Sequence, residues 1–355
     1  MKLIHCADVH LDAAFSNFPS DRAKLRRAEV LETFCRMVDY ADANGVGAIL
    51  IAGDLFDEPK QVRKRTLDRV REVVAAHPDL HFCYLAGNHD GGTELYRDAV
   101  PPANFHTFGS RWSSVRLGEV TVTAAEHPNP DTLLLDPAAV NIVMLHGEAV
   151  ETLTATDWEK IPVRAYAGRN IDYLALGHIH SHREGKVDER CRVCYCGCLE
   201  GRGFDECGEK GFCLLETTPD RRLEVTFVPF ARRTLHDVRV DLSGCTAQAD
   251  LDARVAGALG GIPADDLVKL TLTGAIDPDF APEYSTIDRD LEERFWVAKR
   301  VDGTAPLIRP EDYRNDVSLK GEFIRLAMAA DLSPEDRDRV ILNGLRALYG
   351  EEPDL

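Results

Sequence analysis

The stretch Leu3-Ile4-His5-Cys6-Ala7-Asp8-Val9-His10 opens the chain with a short β-rich run that breaks at once into an acid and a histidine. The same event recurs further along. The runs Ala48 to Ala52, Phe82 to Ala86, Asn141 to Leu145 and Tyr173 to Leu176 are followed in turn by Gly53-Asp54-Leu55-Phe56-Asp57, Gly87-Asn88-His89-Asp90, His146-Gly147 and Gly177-His178-Ile179-His180. Between the first runs, Arg22 to Asn44 and Val62 to Ala76 carry apolar residues at helical spacing, and Gly45 supplies a stop for the first of them. This alternation predicts an α/β layered domain, and in such folds functional groups gather just beyond the carboxyl ends of the strands.

Working outward, the segments Leu117 to Ala124 and Val193 to Val228 read as shorter strands and turns that build a second sheet. The expected architecture is a two-sheet sandwich flanked by helices over residues 1–235. Residues 236–312 read as a small α+β domain, with strands near Val238 to Leu242 and Val268 to Thr273 and a helix near Ala249 to Leu259. Residues 313–355 read as a helical hairpin, Leu319 to Ala330 and Pro334 to Tyr349, the second helix opened by Ser333 as N-cap with Pro334 at its first position.

The chain has 355 residues, 44% hydrophobic and 29% charged, which suits a folded protein of one large domain with smaller additions. Lys2 arrives too early for a signal peptide, and no apolar run is long enough to span a bilayer. A cytoplasmic protein without membrane attachment is expected, and the ten cysteines then read as reduced thiols. Net charge is −18, and residues 236–355 hold 14 Lys and Arg against 25 Asp and Glu. Such a chain does not attract nucleic acid through its overall field; any phosphate contact must come from a local basic patch. Lys60, Arg63, Lys64, Arg65, Arg69 and Arg71 supply one, with a solvated helix face as the plainer alternative.

Each polar block alone is weak, since an Asp-x-His or Gly-Asn-His also arises as an ordinary turn. Five in order, each behind a strand, are a specific signal. Asp8, His10, Asp54, Asn88, His146, His178 and His180 together offer oxygen and imidazole donors suited to manganese, iron or zinc rather than calcium. Asp57 and Asp90 are candidates to orient imidazoles from behind, with loop capping as the alternative.

The ordered set Asp-x-His, Gly-Asp-x-x-Asp, Gly-Asn-His-Asp, His and Gly-His-x-His resembles the calcineurin-like metallophosphoesterase superfamily over roughly residues 1–230. The resemblance implies two divalent metal ions, manganese first among the candidates. It implies that Asp8, His10 and His180 hold one ion, that Asn88, His146 and His178 hold the other, that Asp54 bridges them, and that His89 is the catalytic imidazole, acting as general acid. Two ions about 3.5–4 Å apart can share a water, lower its pKa and clamp phosphoryl oxygens, so the implied chemistry is phosphoester hydrolysis.

Finer features look like the SbcD-type branch of DNA-repair nucleases and its YhaO-type relatives. Glu58-Pro59 follows Asp57 where protein phosphatases carry Arg-Gly, and Gly197-Cys198-Leu199-Glu200-Gly201-Arg202-Gly203-Phe204-Asp205-Glu206 is similar to a Gly-Ser-Pro-Glu-Gly-Arg-Gly-Phe-Asp-Glu stretch of that branch. The departures, Cys198 and Leu199, lie outside the metal set. The resemblance implies a DNA exonuclease and endonuclease subunit, a capping role for residues 236–312, and docking of the terminal helices on an SbcC-like coiled-coil ATPase. A homodimer is compatible with it. Arg63, Lys64, Arg65 and Arg202 are the candidate DNA-contacting residues. The alternatives are a small-molecule or nucleotide phosphoesterase and, from a different class, a metal-free interaction scaffold, which the intact set of donors disfavours.

Cys191, Cys194, Cys196 and Cys198, with Cys207 and Cys213 beyond, lack the paired Cys-x-x-Cys knuckles of a structural zinc site and alternate as one face of a strand. They read as small buried hydrophobes. His182 reads as a solvated residue after the last candidate ligand, with substrate contact as the alternative.

Overall fold

The computed structural model describes the chain except for residues 59, 61, 91–94, 97–99, 152–158, 221, 278–279, 281, 308–312 and 349–355. The expected boundary at residue 312 and the end of the last helix at Tyr349 lie outside the described residues. From the N-terminus the strands are β1 (Lys2–Cys6), β2 (Val46–Ala52), β3 (His81–Leu85), β4 (Phe105–Phe108), β5 (Ser113–Leu117), β6 (Val120–Ala124), β7 (Val140–His146), the short pair β8 (Glu148–Val150) and β9 (Lys160–Pro162), β10 (Tyr173–Gly177), β11 (Arg183–Lys186), β12 (Arg192–Tyr195), β13 (Gly211–Thr217) and β14 (Leu223–Pro229). Helix α1 (Ser20–Ala43) connects β1 to β2, and α2 (Lys64–Ala76) connects β2 to β3.

These strands form two six-stranded sheets, ordered β14-β13-β1-β2-β3-β4 and β11-β12-β10-β7-β6-β5. The run β1 to β4 is parallel, as the two crossover helices require. A core of Leu3, Leu50, Leu85, Val122, Ile142 and Tyr173 fills the space between the two sheets. The segment 193–228, expected in the second sheet, divides: β12 pairs with β10 there, but β13 pairs antiparallel with β1 and carries β14 onto the first sheet. Alternating hydrophobicity fixes which face a strand buries, not which neighbour it pairs with, so this division has no signature in the sequence.

Helix α1 ends where expected: Gly45 adopts φ +66° in open space immediately after Asn44 closes the helix. Helix α2 starts two residues later than expected, at Lys64, because Arg63 is extended and its N–H is taken by Asp12.

Residues Met1–Leu235 and His236–Leu355 form two compact units. The second holds all but the first residue of β15 (Leu235–Asp241), followed by α3 (Gln248–Leu259), β16 (Leu267–Thr273), β17 (Ala275–Ile276), α4 (Ser285–Arg294), β18 (Val297–Asp302), β19 (Ala305–Pro306), α5 (Leu319–Ala329) and α6 (Pro334–Leu348). Its three-stranded sheet, β15-β16-β18, packs Val240, Leu270 and Leu272 on Leu251, Val255, Ile287 and Leu291 of α3 and α4. Helices α5 and α6 share a small core of Ile324, Ala327, Ile341 and Leu345. Ser333 caps α6 by accepting the Asp336 N–H at 3.1 Å. Among the described residues no helix is long and apolar enough to cross a membrane.

Candidate metal centre

Strands β1, β2 and β3 of one sheet and β7 and β10 of the other end together, and their following loops interlock through main-chain hydrogen bonds. Asp8 and His10 donate their N–H groups to the carbonyls of Gly53 and Asp54, at 3.1 and 3.0 Å, and Gly147 donates to Gly177 at 3.3 Å. The His178 N–H reaches across the sandwich to both carboxylate oxygens of Asp8, at 2.8 and 3.1 Å. The backbone turns sharply enough that Asp8, His10, Asp54 and His178 all adopt positive φ, at 50°, 50°, 53° and 98°. Each such residue costs on the order of 1–3 kcal/mol, and a concentration of them marks a site where the surrounding fold imposes the geometry.

Glycines make room for this. A Cβ on Gly53 would lie 2.1 Å from His146 Nδ1, one on Gly87 would lie 2.2 Å from Asp54 Oδ1, and one on Gly177 would lie 2.0 Å from the Ala52 carbonyl. The three positions must stay bare for the donors to converge.

All seven expected donors come to this edge. Asp8, His10 and His180 present ligand atoms within 4.8 Å of one another. Nε2 of His10 and Nε2 of His180 are 3.2 Å apart. Nearby, His146 Nε2 lies 3.0 Å from Asn88 Oδ1, and the His146 and His178 rings stand edge to face at 5.4 Å. Asp54 stands between the two groups, its Oδ2 3.3 Å from His146 Nε2 and 3.8 Å from His10 Nε2, while its Oδ1 accepts the His89 N–H at 2.9 Å.

The electrostatics follow from burial and from these neighbours. Burial holds the His10 imidazole neutral, down to about 4, so its lone pair is available. Burial likewise pushes the Asp8 carboxyl up to about 6. Burial resists charge on Asp54 and on His146 too, but the hydrogen bond between them outweighs it, holding Asp54 down at about 2 and His146 up at about 9. A cation between these groups would do the work that the His146 proton does here.

Behind the donors runs a charged arc, only part of which is visible in the sequence. Asp57 Oδ1 lies 3.1 Å from His10 Nδ1, and the Asp57 carbonyl accepts from His89 Nδ1 at 2.7 Å. On the other side Glu206 Oε1 accepts from His180 Nδ1 at 2.6 Å. Arg202 joins the two carboxylates, 2.9 Å from Asp57 Oδ1 and 3.2 Å from Glu206 Oε1. His180 and His89 are thus held by hydrogen bonds at Nδ1, His10 has a carboxylate beside its Nδ1, and the Nε2 atoms of His10 and His180 face each other. Glu206 closes the 197–206 motif without announcing a role; a lone Glu after Gly-rich turns carries no local sign that it will meet a histidine 26 residues earlier. Asp90, expected behind an imidazole, instead accepts the main-chain N–H groups of Phe56, Gly87 and Leu55 at 2.8, 3.0 and 3.2 Å. It ties the Asp54 loop to the Asn88 loop.

His89 and Asn88 are both exposed, so the centre opens to solvent on their side. Of the basic residues, Arg63 and Arg65 line a groove of about 400 Å³ together with Arg27 and Arg69, and Asp12 forms part of its wall. Lys64 is exposed at the first turn of α2.

A family model described as the calcineurin-like phosphoesterase superfamily domain matches residues 1–220. The chain is similar to the uncharacterized metallophosphoesterase YhaO of Bacillus subtilis, at 29% identity over 241 residues, 61% of this chain and 58% of that protein. It is also similar to the DNA double-strand break repair protein Mre11 of Haloferax volcanii, at 29% identity over 99% of this chain and 83% of that one. The SbcD component of the nuclease SbcCD of Escherichia coli is 24% identical over 70% of this chain and 74% of its own length. The match thus spans little more than half of the Bacillus relative.

Proposed function

The chain belongs to the calcineurin-like phosphoesterase superfamily, and from that premise we propose that it is a two-metal phosphodiesterase acting on DNA, the nuclease subunit of an SbcCD-like complex with 3′-to-5′ exonuclease and single-strand endonuclease action. The position of Asp54 carries the two-metal part of this reading: one carboxylate lies between a His10 and His180 group on one side and a His146 and Asn88 group on the other. The donors fit divalent ions, manganese first, with iron or zinc also suited to mixed carboxylate, amide and imidazole donors. Asp8, His10 and His180 would hold one ion, Asn88, His146 and His178 the other, with Asp54 shared. Bound there, the ions would polarise the phosphoryl oxygens and lower the pKa of the attacking water.

The chain's own contribution is orientation and a proton. His89 donates Nδ1–H to the Asp57 carbonyl, which leaves Nε2 to carry the proton delivered to the leaving oxygen. The Asp57, Arg202 and Glu206 arc keeps His10 and His180 from rotating. DNA as substrate is supported by the likeness to Mre11 and SbcD and by the arginine-lined groove beside the Asp12 loop. An ATPase partner is supported by the same likeness and by the apolar side chains that the hairpin leaves exposed, Leu319, Leu326 and Val340.

The test is manganese-supplemented digestion of end-labelled duplex DNA beside bis-p-nitrophenyl phosphate. Both substrates should be cleaved by the wild type, and His89→Ala should lose about 10²–10⁴-fold on each. Cleavage of the small ester with intact DNA, even with an SbcC-like ATPase added, would establish the small-molecule or nucleotide phosphoesterase instead.

A further inference from the structure

Away from the phosphoesterase centre, the sandwich core contains a further group of side chains of the types that ligate metals. His5, Cys194 and Cys213 present ligand atoms within 4.8 Å of one another, and all three are fully or almost fully buried. His182, Glu184 and Cys194 form a second such triplet, sharing Cys194. The register explains the meeting. His5 and Cys213 are cross-strand partners on β1 and β13, and Glu184 and Cys194 are partners on β11 and β12. Directly opposed residues of this kind bring their side chains within about 5 Å, and the two pairs lie on facing sheets. Spacing along the chain speaks against zinc only for cysteines that are near in sequence; the tertiary pairing uses Cys194 and Cys213 from different sheets.

Two independent features point to a ligand. The Sγ atoms of Cys194 and Cys213 are 3.6 Å apart. Two thiolates on one tetrahedral zinc, each at about 2.3 Å, stand about 3.8 Å apart. The histidines supply the second feature: His5 meets the Tyr173 hydroxyl through Nδ1 at 2.9 Å, yet its Nε2 is buried without a hydrogen-bond partner. His182 pairs through Nε2 with Glu184 at 3.2 Å, yet its Nδ1 is buried without one. One ring nitrogen anchored by a polar group and the other left bare is how metal-ligating histidines are prepared. A buried imidazole nitrogen with no partner otherwise costs on the order of 1–3 kcal/mol.

We propose that His5, Cys194 and Cys213 form a structural site for a thiophilic divalent ion, zinc being the best fit, that ties the two sheets together, with His182, which meets Cys194 in the adjoining triplet, as the residue that swings in to close the fourth position. Binding releases the two thiol protons. Two thiolates, two neutral imidazoles and a dication then sum to zero charge, the arrangement that a buried site tolerates best. The proposal is independent of the phosphodiesterase reading, since the seven donors assigned to the other centre are oxygen and nitrogen atoms, and the Cys198 sulfur beside His180 is controlled for separately.

Cobalt distinguishes the sites, because thiolate ligation produces an intense near-ultraviolet charge-transfer band that oxygen and nitrogen ligation does not. The full chain, kept reduced and stripped of metal by chelator, is titrated with Co(II). The expected result is a band whose full amplitude corresponds to one thiolate-bound cobalt per chain and which excess zinc abolishes. It should vanish in Cys194→Ser/Cys213→Ser and persist in Cys198→Ser, whose sulfur lies near His180 instead. Should the double variant not fold, His5→Gln must shift and weaken the band while both cysteines remain. No band in the wild type, a Cys194–Cys213 disulfide that excludes the metal, or a band unchanged by either substitution would overturn the proposal.

Discussion

Glu206 accepts the Nδ1–H of His180 at 2.6 Å and is held by Arg202, which also grips Asp57 behind His10. One arginine therefore links the supports of two imidazoles whose Nε2 atoms face each other at 3.2 Å. Burial resists ionisation of Glu206, but the hydrogen bond from His180 and the Arg202 charge hold it down at about 2, so it is a full carboxylate under all working conditions. Replacing it by Gln removes the charge and keeps the shape. Glu206→Gln should weaken manganese affinity or activity about 10–100-fold, measured by metal titration of turnover. An unchanged metal dependence would show that the arc does not support the centre.

The glycines make a sharper test of geometry than the donors themselves. A methyl group on Gly53 would meet His146 Nδ1 at 2.1 Å, and φ there is +92°. Gly53→Ala should displace His146, cost about 1–3 kcal/mol in stability and abolish metal-dependent turnover with the circular dichroism spectrum intact. Gly118→Ala, at φ +61° with open space around it, should show the backbone strain alone and keep its activity.

A second, buried charged network should contribute to the response to acid. Arg26, fully buried in α1, donates to Glu29 at 3.0 Å and to Glu200 at 2.9 Å, and Arg233 pairs with Glu29 at 2.7 Å. Burial disfavours the Glu29 carboxylate, yet the hydrogen bonds from Arg233 and Arg26 prevail and hold it below its ordinary 4.5. Its contribution is complete above that ordinary value and disappears as pH falls through the lower folded one. Glu29→Gln should cost about 3–5 kcal/mol near neutrality, because it leaves buried arginines short of a counter-charge. The gap between variant and wild type should narrow in urea unfolding as pH drops below 4.5. A gap that stays constant with pH would remove Glu29 from the acid response.

Replacement of Arg63, Lys64 and Arg65 together by Ala should weaken DNA binding across sequences and flatten its salt dependence. The slope of log affinity against log salt should fall by roughly 0.9 for every duplex phosphate that the variant no longer neutralises. The same slope in variant and wild type would place the DNA elsewhere.

Much of the centre is legible in the sequence because its chemistry is local. Asp8, Asp54, Asn88, His146 and His178 each lie at or just beyond a strand end, so reading where the strands stop locates them. Glu206, Arg202 as a link between carboxylates, and the Arg26 network are not legible, because each depends on partners far away along the chain. Asp90 is readable as important but not in its contacts: an acid next to His89 gives no sign that it will bind main-chain amides of another loop.

The sequence alone determined that β-rich runs end in metal-suited donors, since strand periodicity and residue chemistry act over a few positions. Only the tertiary structure decided which strands became neighbours. β13 joined β1 rather than the sheet of β12, and that pairing placed Cys213 beside His5 and opposite Cys194. The physical reason is that hydrophobic alternation specifies a buried face, whereas pairing and register are chosen by the packing of the whole sandwich.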